Sequence, residues 1–387
     1  MTEKFLSVLL VVTVIFSCAS SVFASESSEA VNNFAFKAGK IIMSKSDGNF
    51  FFSPFSVISA FGMAYAGASG DTAGEIESSL GISQGIHSSL GELAQDLDNS
   101  GIISSANRVW LKNGLNLRKT YTDILSLNYG SSVKELDMKG KTESSRKEIN
   151  NWVSRKTKGK INNLLQTLDP ETRMVITNAV YFNAEWREKF RKSATKNEKF
   201  HTGKGDKEVP MMRQRNDFMY CESDGVKVIS IPYKANRFSM IAILPPEENP
   251  EALKEIDAGK FSAMIESMSE YDVDLWLPKF KTEKRYELKN IFESLGIKLA
   301  FTNNADFSGM TGDEPLKADE VIHQTFIDVD EERTEAAAAT AVPMMVGSAM
   351  PVRKPFAVFH ADRPFMYFIR DNYSGAILFM GYQAFID

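Results

Sequence analysis

The chain has 387 residues, of which 43% are hydrophobic and 25% are charged, and its formal net charge is −5. This hydrophobicity, with so small a net charge, excludes an intrinsically disordered chain, and 24 glycines and 13 prolines without a period exclude a collagen-like one. The mild acidic excess gives no general attraction to nucleic acid or to anionic membranes, so neither is expected as a partner.

The first 24 residues have the pattern of a signal peptide. A basic residue precedes the apolar run Phe5–Phe16, which is shorter than the roughly 20 residues that a membrane-spanning helix needs. We therefore predict cleavage after Ala24 and a secreted, extracellular protein. Cys18 would leave with the signal, and Cys221 alone cannot form an internal disulfide. Asn372 begins a glycosylation sequon on a turn-like segment between two apolar runs, so it is a predicted glycosylation site.

Helical patterns dominate the first half of the mature chain. Ser53 can cap a helix, and the proline after it suits a first turn, which predicts a buried helix over Pro54–Ala66. Thr72 and Glu75 have the spacing of a capping box, and Gly81 would end the short helix that follows it.

Another amphipathic helix is centred on Trp152. Glu143 and Glu148 interleave with its basic residues, so we expect a solvated face rather than a heparin site. The basic residues are Arg146, Lys147, Arg155, Lys158 and Lys160.

Strand patterns take over in the second half. Met174–Phe182 is a continuous apolar run, which predicts a central strand covered on both faces, whereas Tyr271–Phe280 alternates between apolar and polar residues. Helices are predicted near Pro250–Met268 and Tyr286–Leu295. Further strands are predicted at Val226–Ile231, Phe238–Leu244, Glu320–Asp330, Phe356–His360, Phe365–Arg370 and Ala376–Tyr382. Together the patterns predict one α+β domain over residues 25–387.

The sequence contains one weak catalytic motif. Gly81–Gly85 matches the G-x-S-x-G pattern around Ser83, but a nucleophile elbow needs a strand before the serine, and the preceding residues favour a helix. No metal-binding or phosphate-binding spacing occurs, so we expect neither an enzyme nor a cofactor or metal site. Four histidines are scattered along the chain, at His87, His201, His323 and His360.

The most unusual segment is Glu331–Ala341, which contains four consecutive alanines. Alanines after glutamates favour a helix, yet the segment follows a strand-like run and leads into Val342–Pro351, which is apolar and bounded by prolines. The residues alone leave two interpretations open: a short solvated helix and loop, or an accessible segment that a protease would attack.

From Asn32 to Phe385 the chain resembles the serpins. The motif Asn178–Trp186 departs from the family pattern at one place, where Asn183-Ala184 stands instead of the usual lysine-glycine. The resemblance implies one α+β domain with three β-sheets, about nine helices and an exposed reactive-centre loop at about residues 331–354. The motifs are Asn49–Val57, Gly67–Thr72, Asn178–Trp186, Leu277–Phe280, Leu295–Ile297, Ala305–Met310, Arg363–Phe365 and Leu378–Gly381.

A serpin of the inhibitory kind acts as a suicide substrate. The resemblance implies that a protease cleaves the loop, that the loop inserts into the central sheet, and that the acyl-enzyme is trapped. Alternation along a strand puts Thr334 and Ala336 on the face turned inward, where burying a charge would cost several kcal/mol. Arg333 stands where inhibitory serpins usually have glycine, which favours a slow inhibitor or a non-inhibitory carrier, chaperone or storage protein. The implied hinge is Glu331, Glu332, Arg333, Thr334, Glu335, Ala336, Ala337, Ala338, Ala339 and Thr340.

The usual interval from the hinge places the reactive bond at Gly347–Ser348. Alternatives are Met344, Met345 and Met350, because methionine suits an elastase- or chymotrypsin-like serine protease, or a papain-like cysteine protease, better than glycine does. Leu90–Asp98 has no dense basic cluster, so heparin is not expected as a cofactor, and the inhibitor is expected to be a monomer.

Two polar clusters carry over from the family. Ser53, Ser56, Asn178 and His323 match the shutter, a buried network beneath the strands that must part. Trp186, Lys279 and Glu331 match the breach at the top of the sheet. We expect an exposed ion pair between Lys279 and Glu331, worth about 0–1 kcal/mol.

Overall fold

The computed structural model describes residues 26–45, 48–312, 314–334 and 354–386. The predicted signal peptide lies outside these ranges, and so do the hinge residues from Glu335 onward and the candidate reactive bonds at Met344, Met345, Gly347–Ser348 and Met350. Within the described ranges, no helix is both long enough and apolar enough to cross a membrane.

The described residues form nine α-helices and four short 3-10 helices. The α-helices are α1 (26–45), α2 (Pro54–Tyr65), α3 (Gly70–Leu80), α4 (Ile86–Asn99), α5 (Lys119–Tyr129), α6 (Thr142–Lys156), α7 (Ala258–Ser267), α8 (Lys289–Leu295) and α9 (Ser308–Thr311). The 3-10 helices are Lys192–Ala194, Lys234–Asn236, Pro250–Glu255 and Leu299–Phe301.

Sixteen strands are described. They are β1 (Phe50–Phe52), β2 (Ile103–Lys112), β3 (Lys134–Leu136), β4 (Met174–Phe182), β5 (Ala184–Glu185), β6 (Lys196–Thr202), β7 (Gly205–Ser223), β8 (Val226–Pro232), β9 (Phe238–Leu244), β10 (Ser269–Pro278), β11 (Phe280–Glu287), β12 (Glu320–Val329), β13 (Arg333–Thr334), β14 (Phe356–His360), β15 (Phe365–Asp371) and β16 (Ile377–Gln383).

A seven-stranded sheet runs in the order β3-β2-β4-β12-β13-β5, with β11 paired to β12. Its centre is the parallel pair β4 and β12, and all nine residues of β4 are buried. The prediction of a central strand covered on both faces over Met174–Phe182 is therefore confirmed.

The other nine strands form one hydrogen-bonded network in the order β1-β16-β15-β9-β8-β7-β10-β14, with β6 on β7. The 19-residue strand β7 joins two sheets: its first part pairs with β6, its middle with β10, and only residues 219–223 with β8. The fold thus has the three β-sheets that the resemblance implies.

Helix α2 lies in the core and contacts β2, β4 and β16. All twelve of its residues are buried, and the Ser53 side chain accepts a hydrogen bond from the Ser56 N–H, as the N-cap prediction requires. A helix that is apolar all round has to be covered on every side, which is why the sheets close around it.

The capping-box prediction is wrong. Helix α3 begins at Gly70, after Ser69, so Thr72 and Glu75 lie inside it. Both side chains instead bond other segments of the chain: Thr72 Oγ1 accepts from the Asp306 N–H at 2.9 Å, and Glu75 Oε2 accepts from the Lys298 N–H at 2.7 Å.

Two further boundaries differ from the prediction. Tyr286 belongs to β11, where it pairs in register with His323, and α8 begins only at Lys289. The helix predicted over Pro250–Met268 is divided in two, because the Asp257 side chain caps a new helix by accepting from the Lys260 N–H.

The G-x-S-x-G motif occurs at a helix end, as the helical pattern before it predicts. Helix α3 stops at Gly81, whose φ of 66° is left-handed, and Ser83 lies in the following turn with its hydroxyl donating to Glu26 at 3.2 Å. A helix precedes the serine, so the strand-to-helix geometry of a nucleophile elbow does not form here.

Candidate functional site: the parting of the seven-stranded sheet

The parallel strands β4 and β12 separate at one end of the sheet. They pair from Val175–Glu320 up to Tyr181–Phe326, and beyond that point β13 lies between β12 and β5. Thr334 pairs with Val329 on one side and with Ala184 on the other, both antiparallel. The first residues of the predicted hinge thus form a short strand between β12 and β5.

Backbone hydrogen bonds hold the turn that leads into β13. The carbonyl of Glu331 accepts from the Phe190 N–H at 2.9 Å, and that of Glu332 accepts from the Trp186 N–H at 3.3 Å. The indole Nε1 of Trp186 donates to the carbonyl of Asp330 at 2.9 Å. Because three consecutive carbonyls are satisfied by one segment, the start of the hinge is fixed in place.

The predicted pair of Lys279 and Glu331 is formed, with Nζ 2.7 Å from Oε2. The prediction that it is exposed is wrong, since the Glu331 side chain is only 7% exposed and that of Lys279 35%. Thr195 donates a second hydrogen bond to the carboxylate at 2.9 Å. Burial alone would raise the pKa of Glu331, but hydrogen bonds from Lys279, its own backbone N–H and Thr195 outweigh burial and lower that pKa.

The neighbouring Glu332 forms a more exposed pair with Lys192, at 2.7 Å. Trp186, which is fully buried, stacks on Tyr233 with ring centroids 4.5 Å apart. The breach therefore contains a pair of stacked aromatic rings and two glutamate–lysine ion pairs. The Glu331 pair is the better shielded from solvent of the two.

The shutter residues lie beneath the centre of the sheet. The Ser53 N–H donates to His323 Nε2 at 2.9 Å, and Ser53 Oγ donates to the carbonyl of Leu378 at 2.6 Å. Burial lowers the pKa of His323 to about 3, and the nearby carbonyl of Asn178 offsets only part of that shift. Because Nε2 accepts a hydrogen bond, we assign the proton of the neutral imidazole to Nδ1.

Asn178 forms the other half of the shutter. Its Nδ2 donates to the carbonyl of Ser56 at 2.7 Å and to Asn107 Oδ1 at 2.6 Å, and Ser56 Oγ donates to the same Asn107 oxygen at 3.2 Å. The network thus links α2 to β2 and β4 on one side and, through His323, to β12 on the other. It spans the boundary between the parallel strands β4 and β12.

Three residues of these clusters were not predicted from the sequence: Asn107, Thr195 and Tyr286. The Tyr286 ring stacks on His323 at 6.2 Å, and its hydroxyl accepts from the Phe51 N–H at 3.3 Å. Nothing in the local sequence distinguishes Asn107 from other polar strand residues, because its role depends on a partner 71 positions away.

Asn372 is half-buried, and its amide is already engaged. Nδ2 donates to the carbonyl of Asn236 at 2.8 Å and to Ser239 Oγ at 2.9 Å. Both amide hydrogens are used, so a glycan on Nδ2 would break one of these bonds. The sequon remains a predicted site, and this geometry opposes its use in the folded protein.

The remaining sequence candidates do not gather into a site. Cys221 is free, and the part of the chain that the structure describes has no group of three or more residues that could hold a metal ion. Two of the histidines form separate contacts: His87 Nδ1 lies 2.7 Å from the Tyr129 hydroxyl, and His201 Nδ1 lies 2.8 Å from Asp206.

Comparison with known proteins agrees with this arrangement. A family model described as Serpin (serine protease inhibitor) matches residues 29–384. The chain is 39% identical over 360 residues to an uncharacterized serpin-like protein of Thermococcus kodakarensis, covering 91% of this chain and 84% of that protein. It is 36% identical over 353 residues to the leukocyte elastase inhibitor of Equus caballus, covering 86% of this chain and 92% of that protein.

The fold is also that of a solved structure. Human thyroxine-binding globulin matches with a TM-score of 0.85 at 26% identity, covering 94% of this chain and 99% of that chain. A family match over nearly all of the chain and relatives of up to 39% identity lead to one assignment. The chain belongs to the serpin family of serine protease inhibitors.

Proposed function

We propose that this protein is not an enzyme but an inhibitory serpin that traps a protease by inserting its cleaved loop between β4 and β12. The observation that carries the proposal is the position of β13: Thr334 already forms antiparallel pairs with both β12 and β5, and Arg333 pairs with β5. Each further residue that followed them would continue the same ladder. Loop insertion of this kind is an established switching device of serpins.

The sequence of the hinge supports insertion. Beyond Thr334 the next residues that would share its face are Ala336, Ala338 and Thr340, which are small and uncharged. A buried face of this kind avoids the cost of several kcal/mol that a charged side chain would add.

Arg333 favours a second candidate, a non-inhibitory serpin, because inhibitory members usually have glycine there. The backbone of Arg333 nevertheless forms a regular antiparallel pair with Glu185, and such extended backbone does not need a glycine. We therefore prefer the inhibitory function and expect Arg333 to slow insertion rather than to prevent it.

The target that we propose is an elastase- or chymotrypsin-like serine protease, cleaving within 344–348. Methionines at Met344 and Met345 suit such enzymes, and a leukocyte elastase inhibitor is among the relatives. A papain-like cysteine protease is the alternative target. Secretion of the mature protein is part of the same proposal and rests on the apolar run Phe5–Phe16. We propose no heparin cofactor, because Leu90–Asp98 has no dense basic cluster.

The test is a panel of serine and cysteine proteases incubated with the full mature chain. A covalent complex that survives a denaturing gel supports the inhibitory function, and mass spectrometry of the released C-terminal peptide identifies the cleaved bond. Ala336→Arg should yield cleaved protein without complex, while Ala337→Arg, on the opposite face of the strand, should form more complex. Cleavage without complex by every protease in the panel would favour the non-inhibitory candidate.

A further inference from the structure

A small cavity lies between β2 and the helices α2, α4, α5 and α6, next to the shutter. Its volume is about 140 Å³, and its walls include the apolar side chains of Phe55, Leu97 and Ile103. At about 30 Å³ per molecule of liquid water, this volume holds roughly four or five waters, or an organic acid of two to four carbons.

Arg108 is the unusual member of the cavity wall. Its guanidinium lies over two tryptophan rings, 4.3 Å from the centroid of Trp152 and 5.2 Å from that of Trp110. Its Nε is buried and has no hydrogen-bond partner. Glu148 attracts the guanidinium from a distance, but none of the ion pairs among the described residues involves Arg108. Arginine stays charged in proteins, so the cavity wall contains a cation that is partly removed from water and makes no direct ion pair.

Two other charges stand at the mouth of the cavity. Asp98 and Lys156 are both exposed, and their opposite charges attract each other. Arg108 therefore leaves the lining with an excess of one positive charge. An anion that entered would meet this charge together with an apolar wall.

We propose that this cavity binds a small monocarboxylate with a short apolar tail. The planar guanidinium of Arg108 presents parallel N–H donors that match the two oxygens of a carboxylate, and the tail would lie against Phe55 and Leu97. Sulfate or phosphate has the charge but no part that suits the apolar wall, so a carboxylate is the better fit.

A ligand here would also contact the shutter. Asn107 lines the cavity, and its Oδ1 accepts hydrogen bonds from Asn178 and Ser56. Because β2 is paired with β4, the cavity wall changes when β4 moves away from β12, and an occupied cavity slows that movement. This second step rests on the proposed function, whereas the binding step does not.

Binding is tested with sodium propionate, titrated into the full mature chain at constant ionic strength. We expect a saturable change in tryptophan fluorescence and a higher melting temperature, with a dissociation constant on the order of 1 mM. Arg108→Gln should weaken binding at least about tenfold, because a hydrogen bond to a charged group is lost. Arg155→Gln, on the exposed face of α6, should bind as the wild type does.

If Arg108→Gln does not fold, Ala94→Leu serves in its place, since Ala94 lines the cavity and the larger side chain fills it while Arg108 is kept. This variant too should lose binding. A titration without saturation up to about 50 mM, equal binding by Arg108→Gln or Ala94→Leu, or phosphate binding as tightly as propionate would overturn the site.

The coupling is tested by the rate at which the covalent complex with a protease forms. Propionate should slow that rate for the wild type and leave Arg108→Gln unchanged. Saturable binding with an unchanged rate would overturn the coupling and leave the site standing. Because the titration contains no protease, it decides the site even if no protease is inhibited.

Discussion

Asn178 of β4 and His323 of β12 are register partners across the parallel strands of the seven-stranded sheet, and α2 holds each of them through a different residue. Asn178 donates to the carbonyl of Ser56, while His323 accepts from the N–H of Ser53. One helix therefore ties together the two strands between which a loop would insert. Breaking either contact should ease their separation.

Asn178→Ala should destabilise the native protein by about 1–3 kcal/mol, because it removes the side-chain donor to the buried carbonyl of Ser56 and leaves Asn107 Oδ1 with only the longer bond from Ser56 Oγ. It should also increase spontaneous self-association, since a sheet that opens can accept a loop from another molecule. Urea unfolding and native gels after mild heating measure the two effects. Asn303→Ala, at an exposed position, is the control, and an equal loss of stability in both variants would contradict this role of the shutter.

Lys279→Met should destabilise the protein by about 1–3 kcal/mol, because the buried carboxylate of Glu331 loses its charged partner. Lys281→Met, two residues farther along in β11, is a matched control: its ion pair with Asp328 is 2.8 Å long, but Lys281 is 71% exposed. We expect that control to change stability by less than about 0.5 kcal/mol. Thermal unfolding of the two variants shows whether the stability that an ion pair contributes depends on its burial or only on its formation.

His323 makes the protein sensitive to acid. Its pKa is about 3 in the folded protein against an ordinary 6.5, so between those values the unfolded chain binds a proton that the folded protein does not. Stability should therefore fall as the pH drops below 6.5, by about 2 kcal/mol at pH 5. His87, whose pKa burial lowers to about 4, adds a loss in the same direction.

The pH effect is measured by urea unfolding at pH 7.5 and at pH 5. His323→Gln should lose less stability between the two conditions than the wild type does, even if it is less stable at both. His201→Gln, at an exposed position, should keep the full loss. A loss in His323→Gln as large as that of the wild type would show that other groups are responsible.

Arg333→Gly should improve inhibition only modestly. The backbone of Arg333 already pairs with Glu185 in a regular strand, so the arginine is compatible with insertion. A cross-strand pair contributes about 0.2–1 kcal/mol, which limits the change in the ratio of complex to cleaved protein to about fivefold. That ratio is read from denaturing gels. A wild type that forms no complex, beside a variant that does, would mean that Arg333 blocks the hinge.

Local patterns predicted the elements whose burial is uniform or whose caps are local. The continuous apolar run of β4 and the capped, wholly buried α2 both appear as expected. Glu75 shows where such reasoning fails, because its carboxylate caps a distant turn at Lys298 rather than its own helix. A rule based on residue spacing cannot tell whether a side chain caps its own helix or a distant segment, because both uses need the same residue type.

The family motifs predicted only part of the site. They named Lys279 and Glu331 as partners, but their burial depends on Thr195 and on strands far away in sequence. Asn107 was missed for the same reason, since a polar residue in a strand reveals nothing of the helix beneath it. The short strand at Thr334 could not be foreseen either, because alanines after it favour a helix when read alone.

The most direct test of the account is the melting temperature of the mature protein before and after a single cleavage within residues 335–353. If the cleaved loop inserts between β4 and β12, it continues the ladder begun at Thr334, and the melting temperature should rise sharply while the two fragments stay together. An unchanged or lower melting temperature in the fully cleaved protein would contradict loop insertion, and with it the proposed mechanism of inhibition.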